Sequence, residues 1–157
     1  LDIGFMFEPP QMAELQVREI ALIKLIMVAD RPDLSAREAV GSGYIMADWG
    51  TSFAIAHARH FPDMPPPAVR MGLGRMAQSF LLSNGGATYL AEQMASESLQ
   101  SGRLHRVDDA PVIDRQVYAV YPLASERKTL LEQVLEFLVP RPVAREPARA
   151  ITALSAL

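Results

Sequence analysis

Gly72, Gly74 and Ala77 stand as G-x-G-x-x-A in the stretch PAVRMGLGRMAQSFLLSNGGATYLAE, and Glu92 closes it. Strand, glycine turn, helix, strand and acid is the order of a dinucleotide-binding segment. There the glycines let backbone approach a pyrophosphate, and the helix N-terminus meets its charge. The strand that should lead this segment is unsuited to the role. It follows Pro65-Pro66-Pro67, carries Arg70 two residues before the first glycine, and comes after an earlier strand–helix unit. A dinucleotide strand is central, strongly apolar and usually opens its fold. The segment therefore reads as a tight strand-to-helix turn followed by an Asn84-Gly85-Gly86 helix stop.

ADWGTSF, Ala47 to Phe53, also follows a strand and opens a helix. Gly50, Thr51 and Ser52 place N–H groups and hydroxyls at a helix N-terminus, where a carboxylate or carbonyl binds well. Trp49, the single tryptophan, suits two roles: a wall for a ligand, or a filler of the core beneath a capped helix. His57 and His60 are three residues apart on one helix, a spacing that can share a metal, but only Asp63 lies near as a third ligand. A histidine pair on a solvated helix face is the expectation, with no metal site. Gly41-Ser42-Gly43 lacks the flanking spacing of a nucleophile elbow and reads as a turn. Asp108 and Asp109 are adjacent on an extended segment, so their side chains diverge and a solvated loop is expected. The methionines lie in apolar stripes as core filler. No acid, base and nucleophile converge, so no enzyme and no cofactor are expected.

The 157 residues are 50% hydrophobic and 21% charged, with a net charge of −3 and no cysteine. That is enough chain for a core, in the range of ordered globular domains. Disulfides and thiolate metal sites are excluded. A weakly acidic balance suits phosphate backbones poorly. No apolar run approaches the roughly 20 residues of a membrane span. LDIGFMF enters a buried-strand pattern at once, and on this ground the chain is expected to be a piece of a longer protein.

The elements follow from periodicity and punctuation. Leu1–Phe7 is a strand stopped by Glu8-Pro9-Pro10, and Ile20–Ala29 is a longer one broken at Asp30-Arg31-Pro32-Asp33. Ser35 caps a short helix to Val40, with Glu38 in the capping-box position. Three strand–helix units follow: Tyr44–Ala47 with Thr51–Phe61, Ala68–Met71 with Leu73–Ser83, and Thr88–Leu90 with Ala91–Gln100. Leu104–Val107 is short and β-prone; Val112–Tyr121 is long and alternating. Ser125 caps an amphipathic helix over Glu126–Leu138, and an Ala-rich helix over Val143–Leu157 is expected. Strands alternating with helices imply an α/β fold with a parallel or mixed sheet. The two long strands bracket the repeated units as the entry to and exit from one lobe.

As a whole, LDIGF, ALIKLIMVAD, FLLSNGGATYLAEQMASESLQSGRLHRVDDAP and QVYAVYP resemble the effector-binding domain of LysR-type transcriptional regulators. The likeness runs from Leu1 to Leu138. It departs at Asn84, where glycine is common and asparagine is the next best left-handed residue, and at Ala91, where proline is common. The resemblance implies a periplasmic-binding-protein-like fold, with Rossmann-like lobes joined by two crossing strands. Residues 1–19 would be a remnant of the first lobe and 20–121 the crossing strands with the second lobe. Residues 122–139 would return a helix to the first lobe, and 140–157 form a Pro/Ala-rich tail.

It further implies a small-molecule effector between the lobes. Trp49, Gly50, Thr51 and Ser52 would meet it from one loop, Gly72 and Leu73 from the next, and Phe7 and Glu8 from the other lobe. Glu8 there would disfavour a simple anion. The resemblance also implies a cytoplasmic homodimer or tetramer that contacts DNA only through an N-terminal domain absent from this chain, with no membrane partner. A transport solute-binding protein of the same architecture, or a nucleotide enzyme built on the glycine segment, is the alternative.

Overall fold

A computed structural model describes residues 3–41 and 43–138. Its spine is a pair of long strands, β2 (Leu15–Ala29) and β7 (Ile113–Pro122). They pair antiparallel from Leu15↔Pro122 to Leu25↔Ile113, with a bulge between Glu19 and Ala21. The strand expected at Ile20 thus begins five residues earlier. Its 15 residues span about 50 Å. Partly buried and exposed residues intersperse as far as Lys24, where the ribbon has neighbours on few sides. From Leu25 to Ala29 every residue is buried, the pattern of a central strand covered on both faces.

Strand β1 (Gly4–Met6) pairs with the far end of β7, Gly4 opposite Val120. Helix α5 (Lys128–Leu138) packs there, and Ala119, Tyr121, Leu131 and Leu135 form a small core with Ile3 and Ile20. Only Leu131 and Leu135 of its apolar stripe are buried; Phe137 is 95% exposed. The helix starts two residues later than expected, after a turn in which Ser125 Oγ accepts from Arg127 N–H. The expected Val143–Leu157 helix, Ser42 and the first two residues lie outside the described residues.

The other end of the ribbon carries the larger core. Helix α1 (Ala36–Ala39) has the full Ser35–Glu38 capping box. The Asp109 carboxylate also accepts from Ala36 N–H at 2.8 Å, so Asp109 is tied to α1 rather than simply solvated. Strands β3 (Ile45–Ala47) and β4 (Val69–Met71) pair in parallel, and a parallel bridge from Tyr44 to Ala87 joins them to β5 (Ala87–Ala91). Buried Thr88 Oγ1 strengthens that seam by donating to Ile45 O at 2.8 Å. β5 and the two-residue β6 (His105–Arg106) pair antiparallel with β2. Helices α2 (Thr51–His60), α3 (Gly74–Asn84) and α4 (Glu92–Gln100) connect these strands.

Two local expectations are corrected. Asn84 is the last helical residue of α3, and Gly85 takes the positive φ (76°) that ends it; Asn84 Nδ2 donates back to Phe80 O. His57 is not on a solvated face. It is 1% exposed, ringed by Tyr44, Phe53, Phe61 and Tyr89, and its Nε2 shares a hydrogen bond with Tyr44 Oη at 2.8 Å.

Candidate functional site

The loops after β3 and β4 lie side by side, because Asp48 N–H donates to Met71 O at 2.8 Å. Gly50 N–H turns back onto Asp48 Oδ1 at 2.9 Å, and Gly50, at φ 89°, becomes the N-cap of α2. Glycine has no side chain to satisfy the helix's first N–H groups. A residue 44 positions ahead of Ser52 in the chain does so. Glu8, two residues beyond β1, accepts from Ser52 N–H at 2.9 Å and from Ser52 Oγ at 3.4 Å. The Ser52 N–H, then the Thr51 hydroxyl and the Arg115 charge, hold the Glu8 carboxyl below the usual range against partial desolvation.

Arg115, on β7, closes the arrangement. Its Nε donates to Trp49 O at 2.8 Å and its Nη2 to Glu8 Oε1 at 3.4 Å. Its guanidinium lies 5.0 Å from the Phe7 ring centre, and Phe7 meets Trp49 edge-on at 6.2 Å. Arg115 is 5% exposed; a cation so buried needs such partners. A Cβ on Gly50 would come within 2.7 Å of Arg115 Nη2 and 3.1 Å of Glu8 Oε1, so this crossing requires glycine as well as its φ.

The eight residues singled out in the sequence are thereby placed. Phe7, Glu8, Trp49, Gly50 and Ser52 meet at one point where strand ends from both halves of the ribbon converge. Thr51, Ser52, Glu8, Gly72 and Leu73 are exposed. Trp49 is buried; its Nε1 donates to Tyr89 O at 3.0 Å and its ring lies against Gly74. The tryptophan thus fills the core beneath the capped helix, the second of its two expected roles. Gly74 itself is occupied by that ring, which accounts for the second glycine of the G-x-G pair without a pyrophosphate.

Sequence reasoning missed Arg115 and Asp48. Arg115 carried a signal: it sits in step with Ile113 on the inward face of β7, a charge in an apolar register. Beside the site, a cavity of about 760 Å³ runs between α2 and β4 and ends at Asp48, Gly50 and Gly72. Among the described residues, no group of three acidic, histidine or cysteine residues could hold a metal, and no helix is long and apolar enough to cross a membrane.

Solved structures share this architecture. The regulatory domain of HypT from Salmonella typhimurium superposes with a TM-score of 0.70 at 16% identity, over 87% of this chain and 72% of that one. The regulatory domain of CrgA, a LysR-type transcriptional regulator from Neisseria meningitidis, gives 0.65 at 17%, over 88% and 76%. In sequence, the HTH-type transcriptional regulator HdfR of Escherichia coli O139:H28 is 24% identical over 139 residues, 88% of this chain and 48% of the relative. The chain spans about half the length of the curated relatives it matches. The family described as the LysR substrate binding domain matches residues 1–142, and the chain belongs to that family.

Proposed function

We propose that this chain is the effector-sensing part of a LysR-type transcriptional regulator, working by binding a small molecule and not by catalysis. The observation that carries the reading is the Glu8–Ser52–Arg115 contact. It ties a residue following β1 at one end of the ribbon to a helix N-terminus at the other. A molecule entering here must replace or extend those bonds, so its binding energy depends on how the two ends are disposed. Only such a difference in affinity lets a ligand bias one arrangement over another. Thr51, Ser52, Gly72 and Leu73 offer exposed contacts, Phe7 and Glu8 the opposite side, and Gly50 the floor, with Trp49 buried beneath. Because Glu8 already fills the helix N-terminus, the effector is not a simple anion.

In this reading, residues 1–19 and 122–139 belong to a first lobe and 20–121 to the crossing strands and second lobe. The uncovered apolar side of α5 supports this, since a fuller lobe would bury it. The whole regulator would be a cytoplasmic homodimer or tetramer, with DNA bound by a separate N-terminal part. A thermal-shift screen of metabolites tests the site. A true effector raises the melting temperature by mass action, and Thr51→Val or Ser52→Ala removes most of that rise. Hits that survive both substitutions unchanged refute the assignment.

A further inference from the structure

We propose that the groove between α2 and β4 is a second ligand site, for an apolar zwitterion: an α-amino acid with a hydrocarbon or aromatic side chain. Its ammonium group would meet Asp48, its carboxylate Arg70, and its side chain the walls formed by Phe61, Met64 and Pro65–Pro67. Gly50 and Gly72 border both this groove and the effector contacts above, but the charged and apolar groups invoked here are not among those contacts, and the inference does not rest on that reading.

The groove's volume, about 760 Å³, falls within the range of small-molecule sites. Its walls are apolar: Met46, Phe53, Ala54, Ala58 and Met71 line it besides the residues already named. Only three side chains bring polar atoms. His57 is one, and its Nε2 is already engaged by Tyr44. The other two are Asp48 and Arg70, of opposite charge.

Arg70 lies opposite Met46 in the parallel β3–β4 register, and Asp48 follows two residues after Met46. That offset separates the two charged positions by about 7 Å along the strand direction, a gap that an amino-acid head group bridges. Neither forms a salt bridge among the described residues. Asp48 commits Oδ1 to Gly50 N–H, leaving Oδ2 for a ligand. Two opposite charges that do not neutralise each other, at the edge of an apolar groove, select for a ligand carrying both signs. A bare acid meets repulsion from Asp48, and a bare amine from Arg70.

The test is calorimetry and amide NMR of this chain with L-phenylalanine and L-leucine, set against phenethylamine and 3-phenylpropionate. Expected is saturable binding of at least one amino acid, with shifts at Met46, Ala58 and Arg70. Asp48→Asn and Arg70→Gln should each weaken it about tenfold or more, the loss of one charged contact. Ala58→Trp, at an exposed helix position lining the groove, should abolish it. If that variant misfolds, Asp48→Asn carries the test, because asparagine keeps the acceptor for Gly50 N–H. The proposal is overturned if neither amino acid saturates by about 10 mM, weaker than any useful site. It is also overturned if the amine or acid alone binds as well, or if the shifts are confined to Phe7, Glu8 and Ser52.

Discussion

Acidification from about pH 7 to about 4.5 should weaken this fold through one residue, His57. Burial among aromatic rings, with a smaller contribution from the His60 charge, lowers its pKa from 6.5 to about 4. Between those values the unfolded chain takes up a proton that the folded chain refuses. Stability is therefore intact above about pH 6.5 and is lost as pH falls toward 4. At about 1.4 kcal/mol per pH unit, the gap from 6.5 to about 4 amounts to about 3 kcal/mol. For a domain whose whole stability is about 5–15 kcal/mol, that is a large share.

The assay is urea unfolding followed by circular dichroism at about pH 7, 5.5 and 4.5, where linkage predicts losses of about 0, 1 and 3 kcal/mol from this group. Glu8 and Glu38, whose carboxyls sit below the usual range, add their own losses only as pH falls below about 4.5. The window above that value belongs to His57. His57→Gln keeps a partner for the Tyr44 phenol but carries no titrating ring. It should start less stable and then lose less on acidification, while His60→Gln keeps the steep profile. Parallel profiles for His57→Gln and the parent chain, or an NMR midpoint for His57 near 6.5, would refute the reasoning.

Arg115→Met keeps the stem but removes every donor, leaving Trp49 O without its arginine donor and Glu8 with only its Ser52 and Thr51 donors; a loss of about 2 kcal/mol in urea unfolding is expected. Gly50→Ala must hold φ 89° and displace the Arg115 guanidinium, which should cost about 1–3 kcal/mol by the same measurement. Gly74→Ala would drive a methyl into the Trp49 ring, so the emission of the chain's single tryptophan should shift along with a loss of about 1–3 kcal/mol. An unchanged spectrum for that variant would mean the ring does not rest on Gly74.

Much of the fold was legible because its signals are local. The β-branched runs of β2 and β7, the Ser35–Glu38 box and the prolines around residues 62–67 each act within a few residues. The start of β2 was missed because residues 15–19 mix polar and apolar types, and pairing with β7 decides their conformation. His57 was misplaced because its polar ring was weighed above its place between Phe53 and Phe61 on one helix face, and the rest of the aromatic cluster that buries it, Tyr44 and Tyr89, comes from other elements. Asn84 was assigned the left-handed turn on residue preference, whereas its side chain bonds within the helix and Gly85 makes the turn.

The sequence by itself determined the kind and order of the elements, the two crossing strands among them, because periodicity, capping and turn chemistry are short-range. Only the tertiary structure decided that Glu8 caps a helix 44 residues away while paired with an arginine 107 residues away, and that Trp49 lies beneath that contact. Which polar groups are buried together depends on how distant segments meet in space, and no spacing along the chain encodes that meeting.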